Sequence, residues 1–444
     1  MKNEKLMREG SIPELLVKMS LPVILIMMVT VLYNMADVFF IGRTGDRFQL
    51  AAISLSGPVF SIISAFNTLI GFGGCTAASI ALGEGREDLV RKYSAFVLYA
   101  SLGIGLVLGA LILGGMQPLL RILGTDESTA SYAAEYLRIL GLGAPFMIIS
   151  GALGNTARAD GDAKGAMIAS LTGTLLNVVL DPLFIAVLHL GCSGAALATV
   201  IGNIVSMVLL LRALSKKPGF SLSPKDFTLN NEISLHVLGL GLPMAASTLL
   251  MSFSSTVSNR LTVSYGATAI AARDIAGKSA MMIPMVAMGL CMGVQPAISY
   301  VYGRRDQERL KKIVLGVGAV CFVFAALMSA FFFLFREQFV AAFSNDQEII
   351  TLGKQMMLGT LLAVPVESVY HMCSTYLQAT GKVAYATLTS LLQKGLVFVP
   401  VLLLMESCFG LTGIIFANAI TTLISTSIAL TLCTSWSRQI ALAC

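Results

Sequence analysis

Charge is scarce in this 444-residue chain: Asp, Glu, Lys and Arg supply 12% of it, against 56% hydrophobic residues and a mean hydropathy of +0.82. A soluble globular protein is excluded on that balance, and so is an outer-membrane barrel, whose alternating strands would dilute hydropathy. Tryptophan occurs once. The three histidines, His189, His236 and His371, stand far apart without metal-ligand spacing. Eight cysteines form no CxxC and lie mostly in apolar segments, where thiols pack as small hydrophobes, so neither a disulfide framework nor a zinc site is expected. Gly277-Lys278-Ser279 imitates the end of a phosphate-binding loop, yet Ala272 stands where its first glycine belongs, which removes the case for an ATP-driven pump. There is no TVGYG-type filter. No enzyme and no cofactor is expected.

What is present is apolar sequence in long runs. A spanning helix takes roughly 20 apolar residues, so this chain can furnish about twelve. The runs predict helices over 20–42, 50–82, 90–115, 131–154, 165–189 and 194–213, then over 234–264, 270–302, 312–335, 349–379, 383–405 and 411–434. The first twenty residues carry Lys2, Glu4, Lys5, Arg8, Glu9, Glu14 and Lys18 with no signal-peptide core, and read as a retained cytoplasmic tail. Ser215–Glu232 is the longest polar interruption, which divides the chain into a six-helix lobe (1–214), a cytoplasmic linker (215–233) and a second six-helix lobe (234–444).

The net charge of +6 comes from short basic clusters between apolar runs, which read as orientation signals rather than a nucleic-acid surface. With both termini inside, twenty of the thirty Lys and Arg fall on the cytoplasmic side, whereas the opposite side holds chiefly Arg43, Arg47, Arg121, Arg273 and Arg336. The halves also repeat. Leu21-Pro22 matches Leu242-Pro243 at an offset of 221, and Gly73, Ala77, Gly83, Pro145 and Gly161 match Gly293, Ala297, Gly303, Pro365 and Gly381 at 220. Six helices return the chain to its starting side, so the copies are parallel, related by an axis along the membrane normal, as in secondary transporters. A cleft between two such lobes can open to either side.

Acidic residues inside predicted spans are the candidates for chemistry, because a carboxylate in the bilayer is costly and defaults to function. Asp37 lies in Tyr33-Asn34-Met35-Ala36-Asp37, near the outer end of the first span. Asn177 and Asp181 share a face of the fifth at i, i+4, and Pro182 lacks the amide hydrogen that would bond the Val178 carbonyl. Two carboxylates, an amide oxygen and a freed carbonyl suit a hard cation, or the carboxylates share a proton; the alternative is acids merely hydrogen-bonded in the core. Glu367 follows Pro365 by two residues, with His371 at i+4 and Gln378 seven residues on. It either attracts an organic cation, relays protons with His371, or simply pairs with it. Lys394 and Arg260 also fall in apolar spans, where each either pairs with a carboxylate or snorkels to an interface, without an assignable partner. Met281, Met285, Met288 and Met292 form a stripe in the eighth span, either a pliable drug surface or ordinary packing.

Ser20-Leu21-Pro22, Asp37 with Phe40-Ile41-Gly42, Ala51 to Leu55, Ala157 to Asp162, Asn177 to Pro182, Gly194 to Thr199 and Leu377 to Gly381 together resemble the multidrug and toxic compound extrusion (MATE) family over nearly the whole chain. The resemblance implies a twelve-helix, two-lobed exporter of organic cations and amphipathic drugs in exchange for Na+ or H+, residing in a bacterial plasma membrane as a monomer in the lipid bilayer. It implies a cation site of Asp37, Asn177, Asp181 and Thr199. Some relatives carry a carboxylate on the seventh span, where this chain has Ser254, Ser255 and Asn259, while Glu367 keeps a substrate role. Tyr33, Asn34, Glu367, His371, Met281, Met285 and Met288 complete the candidate substrate residues. The competing function is a flippase for a lipid-linked precursor, which should carry a strongly cationic cavity; a receptor or scaffold without transport would leave the buried acids unexplained.

Overall fold

The computed structural model describes residues 2–42, 46–217, 219–343 and 346–442, with the side chains of 2, 3, 34–39, 42, 47, 267, 278, 279 and 440–442 outside the description. Among the described residues, twelve helices are long and apolar enough to cross a membrane. They are α1 (Ile12–Tyr33), α2 (Phe48–Gly83), α3 (Glu87–Gly114), α4 (Glu127–Thr156), α5 (Ala163–Val187), α6 (Gly191–Leu214), α7 (Asn231–Val263), α8 (Met282–Gly303), α9 (Gln307–Leu334), α10 (Gln347–Ala379), α11 (Val383–Phe409) and α12 (Leu411–Gln439). The all-helical, twelve-span architecture expected from the apolar runs is therefore the one found.

Two boundaries differ. The first span starts at Ile12 rather than at residue 20: Ser11 caps its amide end through Glu14 N, and Lys18 reaches Glu14 at 2.5 Å, so the early charges pair along the helix instead of ending it. The eighth run, expected as one helix over 270–302, is two helices, Ala267–Ala280 and Met282–Gly303, of which only the second is a span. Pro284 supplies no amide hydrogen to the Ala280 carbonyl, which breaks the ladder there.

The chain divides into two compact units, one of Met1–Met7 with Leu25–Ala245, the other of Arg8–Ile24 with Ala246–Cys444. Each of α1 and α7 thus starts in one unit and ends in the other. In the first unit the start of α7 lies against α2 without room for side chains: a Cβ on Gly73 would stand 1.9 Å from the Val237 carbonyl oxygen, and one on Gly241 1.7 Å from that of Leu69. In the second, Ser20 takes the place that Gly241 has in the repeat. Its Cα would lie 2.3 Å from a Cβ on Gly293, and its hydroxyl donates to the Leu290 carbonyl at 2.8 Å. The first unit closes over Val97, Leu137, Leu140, Ile148, Leu153 and Leu210. The second closes over Ala272, Ala276, Met357, Leu361 and Val364.

The polar stretch after α6 is strapped to the first unit. Ser221 and Leu222 carbonyls accept from Ser94 and Tyr99 hydroxyls of α3 at 3.1 and 2.9 Å, and the Phe227 ring stacks on Phe96 and tilts against Tyr99. Lys217 anchors its beginning, donating to the Ala157 carbonyl at 2.9 Å and to Asp160 at 2.7 Å, with Asp162 at 3.3 Å.

Candidate functional site

In the first unit α5 and α6 cross backbone to backbone. A Cβ on Gly173 would stand 2.3 Å from the Gly202 carbonyl oxygen, and one on Gly202 2.6 Å from that of Gly173. That approach sets Asn177, one turn beyond Gly173, beside Thr199: Asn177 Nδ2 donates to Thr199 Oγ1 at 3.3 Å. Asn177 is 3% exposed, Thr199 6% and Asp181 fully buried. Asn177 Oδ1 accepts no hydrogen bond among the described residues. From Pro182 to Val187 the chain winds as a π-helix, a form the break at Pro182 takes in place of a simple kink. The side chains of Asp37 and Asn34 lie outside the described residues, so these two assignments have no geometry; Tyr33 is half-buried.

The second unit carries a different constellation. Glu367 of α10 is buried, and Lys394 of α11 brings its ammonium to 3.5 Å from Glu367 Oε1. His371 Nε2 lies 3.8 Å from the same oxygen. Lys394 sits in a π-helical turn, Leu392–Leu396, and Ser254 of α7 donates its hydroxyl to the Lys394 carbonyl. Its neighbour Gln393 donates to Thr422 of α12 at 3.2 Å. Gln378 is not part of this group; it donates to Ser374 at 2.9 Å. Arg260 is exposed, and Asn259 instead accepts from Arg273 at 2.7 Å. Met285 and Met288 are half-buried on α8, whereas Met281 stands at the helix break, 45% exposed. Among the described residues no three of His, Cys, Asp or Glu converge as a metal-holding group.

The two constellations do not repeat. Glu367 and His371 correspond to Met147 and Gly151 at the 220 offset, and residues 165–180 of the first repeat hold no charge that would match Lys394. Sequence reasoning left Lys394 without a partner, because the residues it meets, Glu367 and Ser254, are 27 and 140 positions away. The one readable signal was charge itself: a lysine and a glutamate in adjacent apolar spans.

Residue Arg158, in the turn between α4 and α5, is also buried, donating to Asn155 Oδ1 at 2.5 Å with its guanidinium 5.7 Å from the Phe72 ring centre. Burial lowers its pKa below the ordinary arginine value.

The MatE family profile matches residues 22–183 and again 243–404. The multidrug export protein MepA of Staphylococcus saprophyticus is 30% identical over 420 residues, covering 94% of this chain and 93% of that protein. MepA of Staphylococcus haemolyticus is 31% identical over 422 residues, covering 94% and 92%. Among solved structures, a MATE crystallised in complex with MaL6 superposes with a TM-score of 0.93 at 24% identity, covering 99% of both chains.

Proposed function

Since this chain belongs to the MATE family, a family of membrane transporters and not of enzymes, we propose that it is a secondary multidrug exporter. It expels organic cationic and amphipathic drugs in exchange for Na+ or H+ by alternating access, from a bacterial plasma membrane with both termini cytoplasmic, and works as a monomer. The name of the staphylococcal relatives, multidrug export protein, supports the drug class.

The observation that carries the coupling reading is the arrangement of Asn177. Its amide nitrogen is engaged by Thr199, so its Oδ1 is turned to be an acceptor in a buried setting that also holds the Asp181 carboxylate. A buried oxygen without a donor costs about 1–3 kcal/mol, and a cation that it coordinates removes that cost. Asp37, Asn177, Asp181 and Thr199 hold the coupling ion, as Na+ bound by their oxygens or as a proton shared between the carboxylates. Tyr33, Asn34, Glu367, His371, Met281, Met285 and Met288 take the drug. Net export follows from the ion and the drug preferring opposite states of the transporter, because a ligand shifts such an equilibrium only by its difference in affinity.

The test is efflux of a fluorescent cationic drug from proteoliposomes under an imposed Na+ gradient and then an imposed H+ gradient, with Asp37→Asn and Asp181→Asn beside the unmodified protein. Movement driven by one gradient and lost in both variants is expected, and it names the ion. Efflux that survives both substitutions would overturn the assignment of the site.

A further inference from the structure

The Glu367 carboxylate already has a cation. Lys394 Nζ stands 3.5 Å from Glu367 Oε1, and its side chain is 24% exposed against 11% for Glu367. The pair is therefore desolvated on the acid's side and open on the ammonium's side. His371 Nε2 lies 3.8 Å from the same oxygen. The lysine backbone is fixed rather than loosely placed: the π-helical turn Leu392–Leu396 carries it, the Ser254 hydroxyl holds its carbonyl, and a Cβ on the adjacent Gly395 would lie 3.0 Å from Leu250 of α7. A long side chain on a fixed backbone returns to the same carboxylate whenever it leaves it.

We propose that Lys394 is a tethered competitor at Glu367, a specificity-determining residue whose ammonium an organic cation must displace before it binds the carboxylate. The proposal rests on the reading of the protein as an exporter of organic cations. A group attached to the same fold competes at a high effective concentration. A drug sees only the fraction of protein in which the carboxylate is vacated, so its apparent dissociation constant is raised by the reciprocal of that fraction. The ammonium also takes back the carboxylate when the drug departs, so Glu367 is never left as a bare buried anion, the costly state for a carboxylate in this environment. A cationic amphiphile thereby meets a penalty that an uncharged one does not.

Equilibrium binding of tetraphenylphosphonium to the purified full chain in nanodiscs tests this, with triphenylphosphine oxide as the uncharged probe. Lys394→Met should bind tetraphenylphosphonium about tenfold tighter, as for an ion pair that is open roughly a tenth of the time. Lys394→Arg, which keeps the charge, should stay near the unmodified protein, and triphenylphosphine oxide should bind all of them alike. Adding Glu367→Gln to Lys394→Met should erase the gain. An unchanged or weakened affinity in folded Lys394→Met, or a gain that persists without Glu367, overturns the proposal. Should Lys394→Met not fold, Lys394→Gln decides by the same measurement: it removes the ammonium, keeps a polar end and must bind tetraphenylphosphonium more tightly, and equal binding overturns the proposal. If neither the unmodified protein nor folded Lys394→Met binds the cation at all, the exporter reading itself fails. Equal, measurable binding by both defeats only the tethered competitor.

Discussion

Lys217 Nζ lies 2.7 Å from Asp160 Oδ1, and the matching place in the second repeat is filled by Trp436, whose Nε1 donates to Thr380 Oγ1 at 2.9 Å. Asp160 and Thr380 differ by 220 positions (380 − 160). Lys217 and Trp436 differ by 219 (436 − 217), as do the positive-φ glycines Gly191 and Gly410 that open α6 and α12 (410 − 191). The residue that follows by two in each turn is exchanged as well. Asp162 lies 3.3 Å from Lys217, whereas its counterpart Lys382 places its ammonium 4.4 Å from the Trp436 ring centre. One geometry, the end of a sixth helix folded over the turn between the fourth and fifth, is thus built once from a lysine between two acids and once from an indole over a lysine.

The ionic version should hold the strap. Lys217 and Asp160 are 13% and 15% exposed at their side chains, so the pair is weakly screened, and removing the lysine leaves two acids without it. Lys217→Met is expected to cost about 1–3 kcal/mol, more than a surface pair and less than a fully buried one. The local readout is trypsin cleavage after Lys216 and Lys225, which should accelerate several-fold in detergent, while Asp160→Asn with Lys217→Met should be no worse than Lys217→Met alone. A strap that resists trypsin equally in the variant would mean that Tyr99 and Phe227 suffice.

Coupling should depend on Thr199 through Asn177. Thr199→Val keeps the shape but removes the hydroxyl, leaving Asn177 Nδ2 without its acceptor and free to turn; a buried donor so stranded costs about 1–3 kcal/mol. Gradient-driven efflux should fall while equilibrium binding of the drug is retained. Loss of drug affinity with coupling intact would place Thr199 in the wrong role.

Helix contacts give a graded series. Gly241→Ala puts a methyl into the Leu69 carbonyl, where backbone cannot yield, whereas Gly103→Ala and Gly277→Ala meet nothing within 4 Å. The first should lower the unfolding temperature in detergent by the equivalent of about 1–3 kcal/mol or more. The other two should be neutral or stabilising by up to about 1 kcal/mol, since alanine restricts the unfolded chain and favours helix. Equal tolerance at all three positions would contradict the close crossing of α2 and α7.

Twelve spans and a repeat were legible because both are written in hydropathy and in local punctuation such as Leu21-Pro22 and Gly161. The π-helical turns at Leu16–Ser20, Pro182–Val187 and Leu392–Leu396 were not, apart from the proline that announces the second, because one extra residue per turn leaves an apolar run looking unbroken. The meeting of Asn177 with Thr199 depends on the glycine crossing of α5 and α6, and neither helix alone signals its partner. Lys217 read as one more positive charge of a polar linker, since nothing near it in sequence indicates Asp160. Long-range pairing of this kind is set by packing of whole helices, which periodicity does not encode.

The start of α4 gives a pH signature outside the membrane. Asp126 caps that helix, accepting from the Thr129 hydroxyl at 2.7 Å, the Ser128 hydroxyl at 2.7 Å and the Thr129 amide at 2.9 Å, and these bonds hold its carboxyl down to about 2. A folded value below the ordinary 3.8 stabilises the fold fully above that ordinary value, and the contribution is lost as pH falls through about 2. Unfolding temperatures of the unmodified protein and Asp126→Ala should therefore differ by a constant amount near neutrality and converge as the medium is acidified below the ordinary value. A gap that is independent of pH down to about 2 would show that the cap does not need its charge.

Trp436 is the chain's single tryptophan, so its emission reports one place without deconvolution. Its indole is half-buried, its Nε1 is engaged by Thr380, and the Lys382 ammonium lies over its face while also standing 5.1 Å from the Tyr385 ring centre. A cation on an exposed aromatic face is worth about 0.5–1 kcal/mol, enough to keep the lysine stem in place most of the time. Lys382→Met retains an apolar stem but loses the attraction, so the ring face opens to water: emission should move to longer wavelength and acrylamide should quench it more strongly. Unchanged emission and unchanged quenching in Lys382→Met would show that the ammonium does not cover the ring.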